Sequence, residues 1–176
     1  MIEALSQRIS GYVFRHNDRG HVSQEVMKFA LVSLLSTTFT IVLSLIIGLI
    51  DGKFLPTVLS LAAIAIMRNL TGGYHFKSTA ACIIVSAGVI TLIPFIPVSQ
   101  IAFYIMGIIS LLLVIGYAPS NLRGVSRLTE SNLKAMKWVA VLLIVSNFLL
   151  TSDIISLAFF IQAVSLLPGK WGEKDA

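Results

Sequence analysis

Six apolar runs, parted by short polar breaks, set the pattern of this chain. They cover residues 29–50, 54–67, 79–97, 100–117, 138–151 and 154–168. The first and third are about as long as the ~20 apolar residues that cross a bilayer as a helix. The second has 14 residues, a helical rise of ~21 Å against a hydrocarbon core of ~30 Å. It crosses if it borrows Arg68 to Leu70 with the arginine snorkelling, and is re-entrant otherwise. Breaks fall at Asp51-Gly52, at the Pro94/Pro97 turn, before Ala118-Pro119 and at Ser152-Asp153, rich in the residues that punctuate secondary structure. Ahead of the runs, Ile2, Leu5, Ile9, Tyr12 and Val13 share one helical stripe among arginines. That is the pattern of an amphipathic helix lying in a membrane interface. Asn17-Asp18-Arg19-Gly20 then reads as a turn.

The pattern predicts an all-α, polytopic integral membrane protein of one domain. Composition agrees: 56% of residues are hydrophobic and 12% charged, and mean hydropathy is +0.91, far from the balance of a soluble domain. The first 28 residues lack an apolar core segment, so no cleavable signal peptide is expected. A single cysteine excludes an internal disulfide framework, and no Cys/His metal spacing is present, so neither metal nor cofactor is expected.

The net charge of +5 raises nucleic acid as a partner, but the placement of the charges argues for a membrane rule. If all six runs cross and the N-terminus is cytoplasmic, the inner segments are 1–28, 68–78, 118–137 and 169–176. These hold twelve of the thirteen Lys and Arg residues, and the outer turns hold only Lys53. Positive charge on the inside is the expected bias. The predicted organisation is therefore an interfacial segment at 1–28, a six-span bundle at 29–168 and a cytoplasmic tail at 169–176, with both termini cytoplasmic. The basic inner loops suit anionic lipid headgroups or an acidic peptide, and no nucleic-acid role is expected.

Candidate chemistry concentrates in Met67–Cys82, MRNLTGGYHFKSTAAC, at the inner boundary. It carries the single cysteine, Cys82, with His75 seven positions before it. One unbroken helix would hold these two side chains ~10.5 Å apart along its axis, whereas proton transfer needs about 2.6–3.2 Å. The helix must break, and Gly72-Gly73 permits the backbone angles that stop it. Ser78 or Thr79 can cap the next helix, placing Cys82 at its first turn or just beyond. The thiolate is the nucleophilic form, and an ordinary cysteine is only ~3% ionised at pH 7. A helix N-terminus and a neighbouring imidazolium both favour that form, whereas depth in lipid opposes it. An interfacial position, with Lys77 adding favourable potential, suits a reactive cysteine.

Each residue also has a plainer role. A lone cysteine in an apolar helix ordinarily packs as a small hydrophobe, and a lone histidine at a membrane boundary is ordinarily solvated. Arg68 serves as a positive-inside anchor or, bidentately, as a grip on a substrate carboxylate. Gly72-Gly73 ends a helix, and Tyr74 is an interfacial aromatic.

Taken together, Arg68-x-x-x-Gly72-Gly73-Tyr74-His75 followed by six residues and Cys82 resembles the signature of the accessory gene regulator B family, membrane endopeptidases of Gram-positive quorum sensing. The likeness extends to chain length, multi-span hydropathy and Tyr117-Ala118-Pro119 after the fourth run. An acidic residue and an Asn-Lys-Pro-like run are expected after that pair, whereas Ser120-Asn121-Leu122-Arg123 follows here. The resemblance implies that Cys82 attacks the scissile carbonyl of a short membrane-associated, AgrD-like propeptide, with His75 as base and then acid. It implies removal of the propeptide's C-terminal segment through a thioester, then closure of a thiolactone or lactone ring by the peptide's own cysteine or serine. Arg68, Gly72, Gly73, Tyr74, Lys77, Ser78 and Asn121 are the expected supporting or substrate-contacting residues. No Asp or Glu lies between Asp51 and Glu130, so a Cys/His dyad, or a neutral orienter such as Asn69 or Asn121, is favoured over a local carboxylate. The expected location is the bacterial cell membrane, with the site at its cytoplasmic face. A homodimer is expected, because small residues on span surfaces permit helix association.

The rivals are a small transporter or channel subunit, supported by Pro94, Pro97 and the glycines as possible breaks in spanning helices, and a non-catalytic scaffold of a signalling complex. No charge lies deep in any run and no repeat relates the halves, which weighs against transport.

Overall fold

The computed structural model describes residues 2–15, 23–73, 78–120 and 129–167, with side chains from residue 6 onward. Among them are seven helices and no strand: α1 (Ile2–Arg15), α2 (Gln24–Ile50), α3 (Phe54–Thr71), α4 (Thr79–Leu92), α5 (Gln100–Tyr117), α6 (Glu130–Leu150) and α7 (Asp153–Val164). Each apolar run forms a helix over most of its described length. The expected turn at residues 17–20 lies outside the described residues.

Serine hydroxyls start four of these helices. Ser23, Ser78, Ser99 and Ser152 cap α2, α4, α5 and α7, each accepting the backbone N–H three residues on and satisfying a donor that the first turn leaves without a carbonyl. At the other end of α4, a 3₁₀ turn at Ile93–Phe95 contains Pro94, which cannot continue the α-helical ladder. Between α6 and α7, Thr151 takes a left-handed conformation (φ 50°). Asn147 holds that turn, accepting from the N–H of Ser152 at 3.3 Å and donating to its carbonyl at 3.2 Å.

Four helices, α2, α3, α5 and α6, are long and apolar enough to cross a membrane. The second run does continue through Arg68–Leu70, giving α3 its 18 residues and a rise of ~27 Å. Thr79–Phe95 and Asp153–Val164 form shorter apolar helices. Large apolar side chains such as Ile50, Ile101, Leu112 and Leu149 stand exposed around the outside, as suits a protein whose solvent is hydrocarbon.

The core sits where α3, α5, α6 and α7 meet. Met67, Val114, Ala140, Ala158 and Ala163 are fully buried there, with Ile144, Leu157 and Phe159 around them. Small residues let the helices approach: a Cβ on Gly107 would stand 2.5 Å from the Phe148 ring, and one on Gly48 would stand 2.6 Å from Thr57 Oγ1. Ser60 crosses between helices, donating to the carbonyl of Ile90 at 2.8 Å. Outside this core, α1 packs on α2. Its Ser6 and Ser10 are buried, while Ile9, Tyr12 and Val13 of the predicted apolar stripe are exposed.

Candidate active site

The site is built from the end of α3 outward. α3 stops because Gly72 takes φ 74°, ψ −148°, its N–H closing on the carbonyl of Arg68 at 2.9 Å. Gly73 follows at φ 145°. Two consecutive residues in conformations that L side chains rarely adopt require the glycine pair, so the helix break expected from the sequence is present.

The turn is held from two sides. From one, the N–H of Ser120 donates to the Thr71 carbonyl at 2.9 Å, and Ser120 lies beside Gly72 in an isolated parallel bridge. From the other, the amide Nε2 of Gln162, on α7, donates to the Gly72 carbonyl at 2.7 Å. Gln162 is buried (3% exposed). The carbonyl partner fixes which end of its amide faces the turn, since only the N–H can donate. Gly73 fits tightly against this helix end: a Cβ there would meet Gln162 Nε2 and Ser165 Oγ, each at 2.9 Å. Thr71 is fully buried, and its hydroxyl donates to Met67 O at 2.8 Å and lies 3.3 Å from the Gly72 carbonyl oxygen.

Five residues past Gly73 the chain reaches Ser78, the N-cap of α4. Five residue steps of chain span at most ~18 Å, so the end of α3 and the start of α4 lie at one end of the bundle, beside Ser120 and the end of α7. The Ser78 hydroxyl accepts from Ala81 N at 3.5 Å and its carbonyl from Cys82 N at 3.0 Å. Cys82 is a free, half-buried thiol in the first turn of α4, where the sequence placed it. The positive end of the helix dipole lies at this start.

Of the other expected residues, Arg68 is half-buried in the last turn of α3. Asn69 is exposed and donates to Ala65 O of its own helix at 2.9 Å. Tyr74, His75, Lys77 and Asn121 lie outside the described residues. The structure thus sets Gly72 and Gly73 against Ser120, Gln162 and Ser165, which sequence reasoning did not single out, and places Ser78 and Cys82 at the start of the next helix. Gln162 left one trace: it is the sole side-chain amide in the otherwise apolar 154–168 run, and a polar group in such a run needs a partner.

The model of the family described as accessory gene regulator B matches residues 6–166. This chain belongs to the accessory gene regulator B family. A protein of Halalkalibacterium halodurans, whose name marks it as AgrB-like, is 31% identical over 176 residues, covering 96% of this chain and 88% of the relative. No solved structure matches significantly. AgrB membership implies a part in processing a quorum-sensing autoinducer, in a family of protease-like processing enzymes. The matched AgrB region contains the Gly72-Gly73 turn, the start of α4 and Gln162.

Proposed function

We propose that this chain is a membrane-embedded cysteine endopeptidase that cuts the C-terminal segment from a quorum-sensing propeptide and passes the remainder to ring closure. The observation that carries the reading is the position of Cys82. It is a half-buried thiol in the first turn of a serine-capped helix, directly after a glycine-made break, in a chain of the AgrB family.

In the proposed reaction, His75 takes the Cys82 proton and the sulfur attacks the scissile carbonyl carbon. The tetrahedral intermediate collapses, the C–N bond breaks, and His75 returns its proton to the leaving amine. The N-terminal part of the propeptide is then a thioester on Cys82. A thiol or hydroxyl of that same peptide attacks the thioester carbonyl, giving a thiolactone or lactone and restoring the Cys82 thiol. Two physical demands follow: water must be kept from the thioester, and the peptide must be held folded so that its own side chain outcompetes solvent. The backbone N–H groups at the start of α4 are the candidate donors to the oxyanion.

The substrate in this reading is an AgrD-like propeptide lying along the membrane. Arg68, with Tyr74, Lys77 and Asn121, would contact it, and anionic headgroups would gather at the basic loops. Six spans with both termini and the site on the cytoplasmic side of the bacterial membrane, α1 in the interface and a homodimeric assembly complete the proposal.

The test is co-expression with a candidate propeptide and mass spectrometry of the products. Wild type should release the C-terminal segment, and Cys82→Ala and His75→Ala should not. Processing by Cys82→Ala at the wild-type level would end the peptidase reading and leave a scaffold.

A further inference from the structure

We infer that Ser60, on α3, latches a proline hinge at the end of α4 and so positions the thiol that α4 carries. Its bearing on catalysis rests on the proposed peptidase reading; its effect on geometry does not. In an unbroken α-helix the carbonyl of Ile90 would accept from the N–H of residue 94. Residue 94 is proline and has no N–H to give. The Ser60 hydroxyl supplies the missing donor, 2.8 Å from the Ile90 oxygen. Ser60 is fully buried and Ile90 nearly so, where a carbonyl without a partner is costly. The same hydroxyl lies 3.0 Å from the Thr57 carbonyl of its own helix, the ordinary kind of partner for a serine in an apolar helix. Ser44, Thr91 and Ser110 bond back to their own helices in that way. A hydroxyl has one proton to give, and at Ser60 the shorter contact crosses to another helix.

The bond matters because α4 stands largely outside the core and packs mainly on α2. None of its buried apolar side chains, Ile83, Ala87 and Ile90, belongs to the core of α3, α5, α6 and α7, and Val89 meets that core only half-buried. The chain rejoins the core at Ile93, 1% exposed, in the 3₁₀ turn. Proline breaks are where helices bend, so this end of α4 is a hinge, and the Ser60 bond sets its angle against α3. Cys82 stands on the same helix eight residues before Ile90, ~12 Å along the axis. A tilt of about 10° at the hinge moves that end of the helix by ~2 Å. Displacement of about 1 Å at a reacting group can cost up to ~100-fold in rate.

The experiment takes two readouts on the full chain in detergent, in wild type, Ser60→Ala, Pro94→Ala and the double variant. The first is melting. Ser60→Ala should lower the melting temperature by about 2–4 °C, as the loss of one hydrogen bond does in a chain of this size. In the Pro94→Ala background residue 94 regains an N–H for the Ile90 carbonyl, so removing the hydroxyl should cost less than about 1 °C, a coupling that only a shared partner produces. The second readout is the position of α4. Nitroxides on the native Cys82 and on an added Leu112→Cys, an exposed site on α5, report their separation by double electron–electron resonance, with excess unlabelled chain so that only distances within one molecule are read. Ser60→Ala should shift or broaden that distance by about 2 Å, the lever estimated above; a hydroxyl that only stabilises would leave it unchanged. Equal melting losses with proline and with alanine at 94, or a wild-type distance in Ser60→Ala, would overturn the latch. Should Ser60→Ala show no melting transition, Pro94→Ala and the double variant decide alone. Matching melting and matching distances in those two support the latch, and a double variant that also fails to melt, or whose distance differs, overturns it. Propeptide processing by Cys82→Ala would end the peptidase reading without moving either readout.

Discussion

Ser120 donates its backbone N–H to the carbonyl oxygen of Thr71 at 2.9 Å, tying the chain after α5 to the last residue of α3. The bond uses the main chain alone, so the Ser120 side chain should be dispensable and its N–H should not. Ser120→Ala is expected to melt in detergent with wild type and to process propeptide normally. Ser120→Pro removes the donor and should lose about 1 kcal/mol of stability, with slower processing. Indistinguishable Ala and Pro variants would mean that the bridge does not brace the turn.

Gly73 is constrained twice, by φ 145° and by the 2.9 Å approach of two α7 side chains. Gly73→Ala should therefore cost about 1–3 kcal/mol from backbone conformation alone, with steric overlap added. Pairing it with Ser165→Ala relieves only part of the overlap and none of the dihedral cost. Thermal unfolding of the single and paired variants checks this; full recovery in the pair would show that space, not conformation, requires glycine there.

At the start of α4, Ser78 fixes where the helix begins and hence where Cys82 falls. Ser78→Ala should cost about 1 kcal/mol and reduce propeptide processing. Ser78→Thr keeps a neutral hydroxyl cap and should restore both. If Ser78→Ala processes like wild type, the capped start is not what orders the thiol.

The helices and the break at Gly72-Gly73 were legible in the sequence because local rules dominate there. An apolar run long enough to be buried or to meet lipid must pair its backbone internally, and only glycine takes φ 74° and 145° at low cost. Boundaries were less legible. α2 starts at Gln24 and α6 at Glu130, so Glu25, Lys28, Lys134 and Lys137 are helical although their charge read as loop. Lys137 shows why a charged residue can belong there: its ammonium donates to the Ile115 carbonyl near the end of α5. The bond from Gln162 to Gly72 was not legible, because it joins residues ninety positions apart and no local pattern encodes that meeting.

The approach of α2 to α3 is set by Gly48, whose added Cβ would stand 2.6 Å from Thr57 Oγ1 and 2.8 Å from Thr57 Cβ. Gly48→Ala should destabilise by about 1–3 kcal/mol, the range for overpacking a close contact. The second distance decides the rescue. Thr57→Ala keeps the offending Cβ and should restore little, whereas Thr57→Gly should restore more despite its helix penalty. Melting of the three combinations in detergent measures this, and a Gly48→Ala protein as stable as wild type would show that the two helices stand further apart.

In the proposed six-span topology the shortest helix is α7, whose 12 residues rise ~18 Å against a hydrocarbon core of ~30 Å. For a lipid-facing helix that shortfall, at a fraction of a kcal/mol per Å, would be a serious cost. α7 is not lipid-facing along most of its length: Ser156, Leu157, Ala158, Phe159, Gln162 and Ala163 are buried against its neighbours, so protein surrounds much of it and a crossing stays open to it. Charge placement is the ground for the proposed six crossings, which would put Lys170 and Lys174 on the inner side. In a Cys82→Ala background, a membrane-impermeant maleimide applied to intact cells should label single cysteines at Gly52 and Ser152 and spare those at Arg123 and Lys174. Equal, strong labelling at 152 and 174 would place both ends of α7 on the outside and remove it from the proposed crossings.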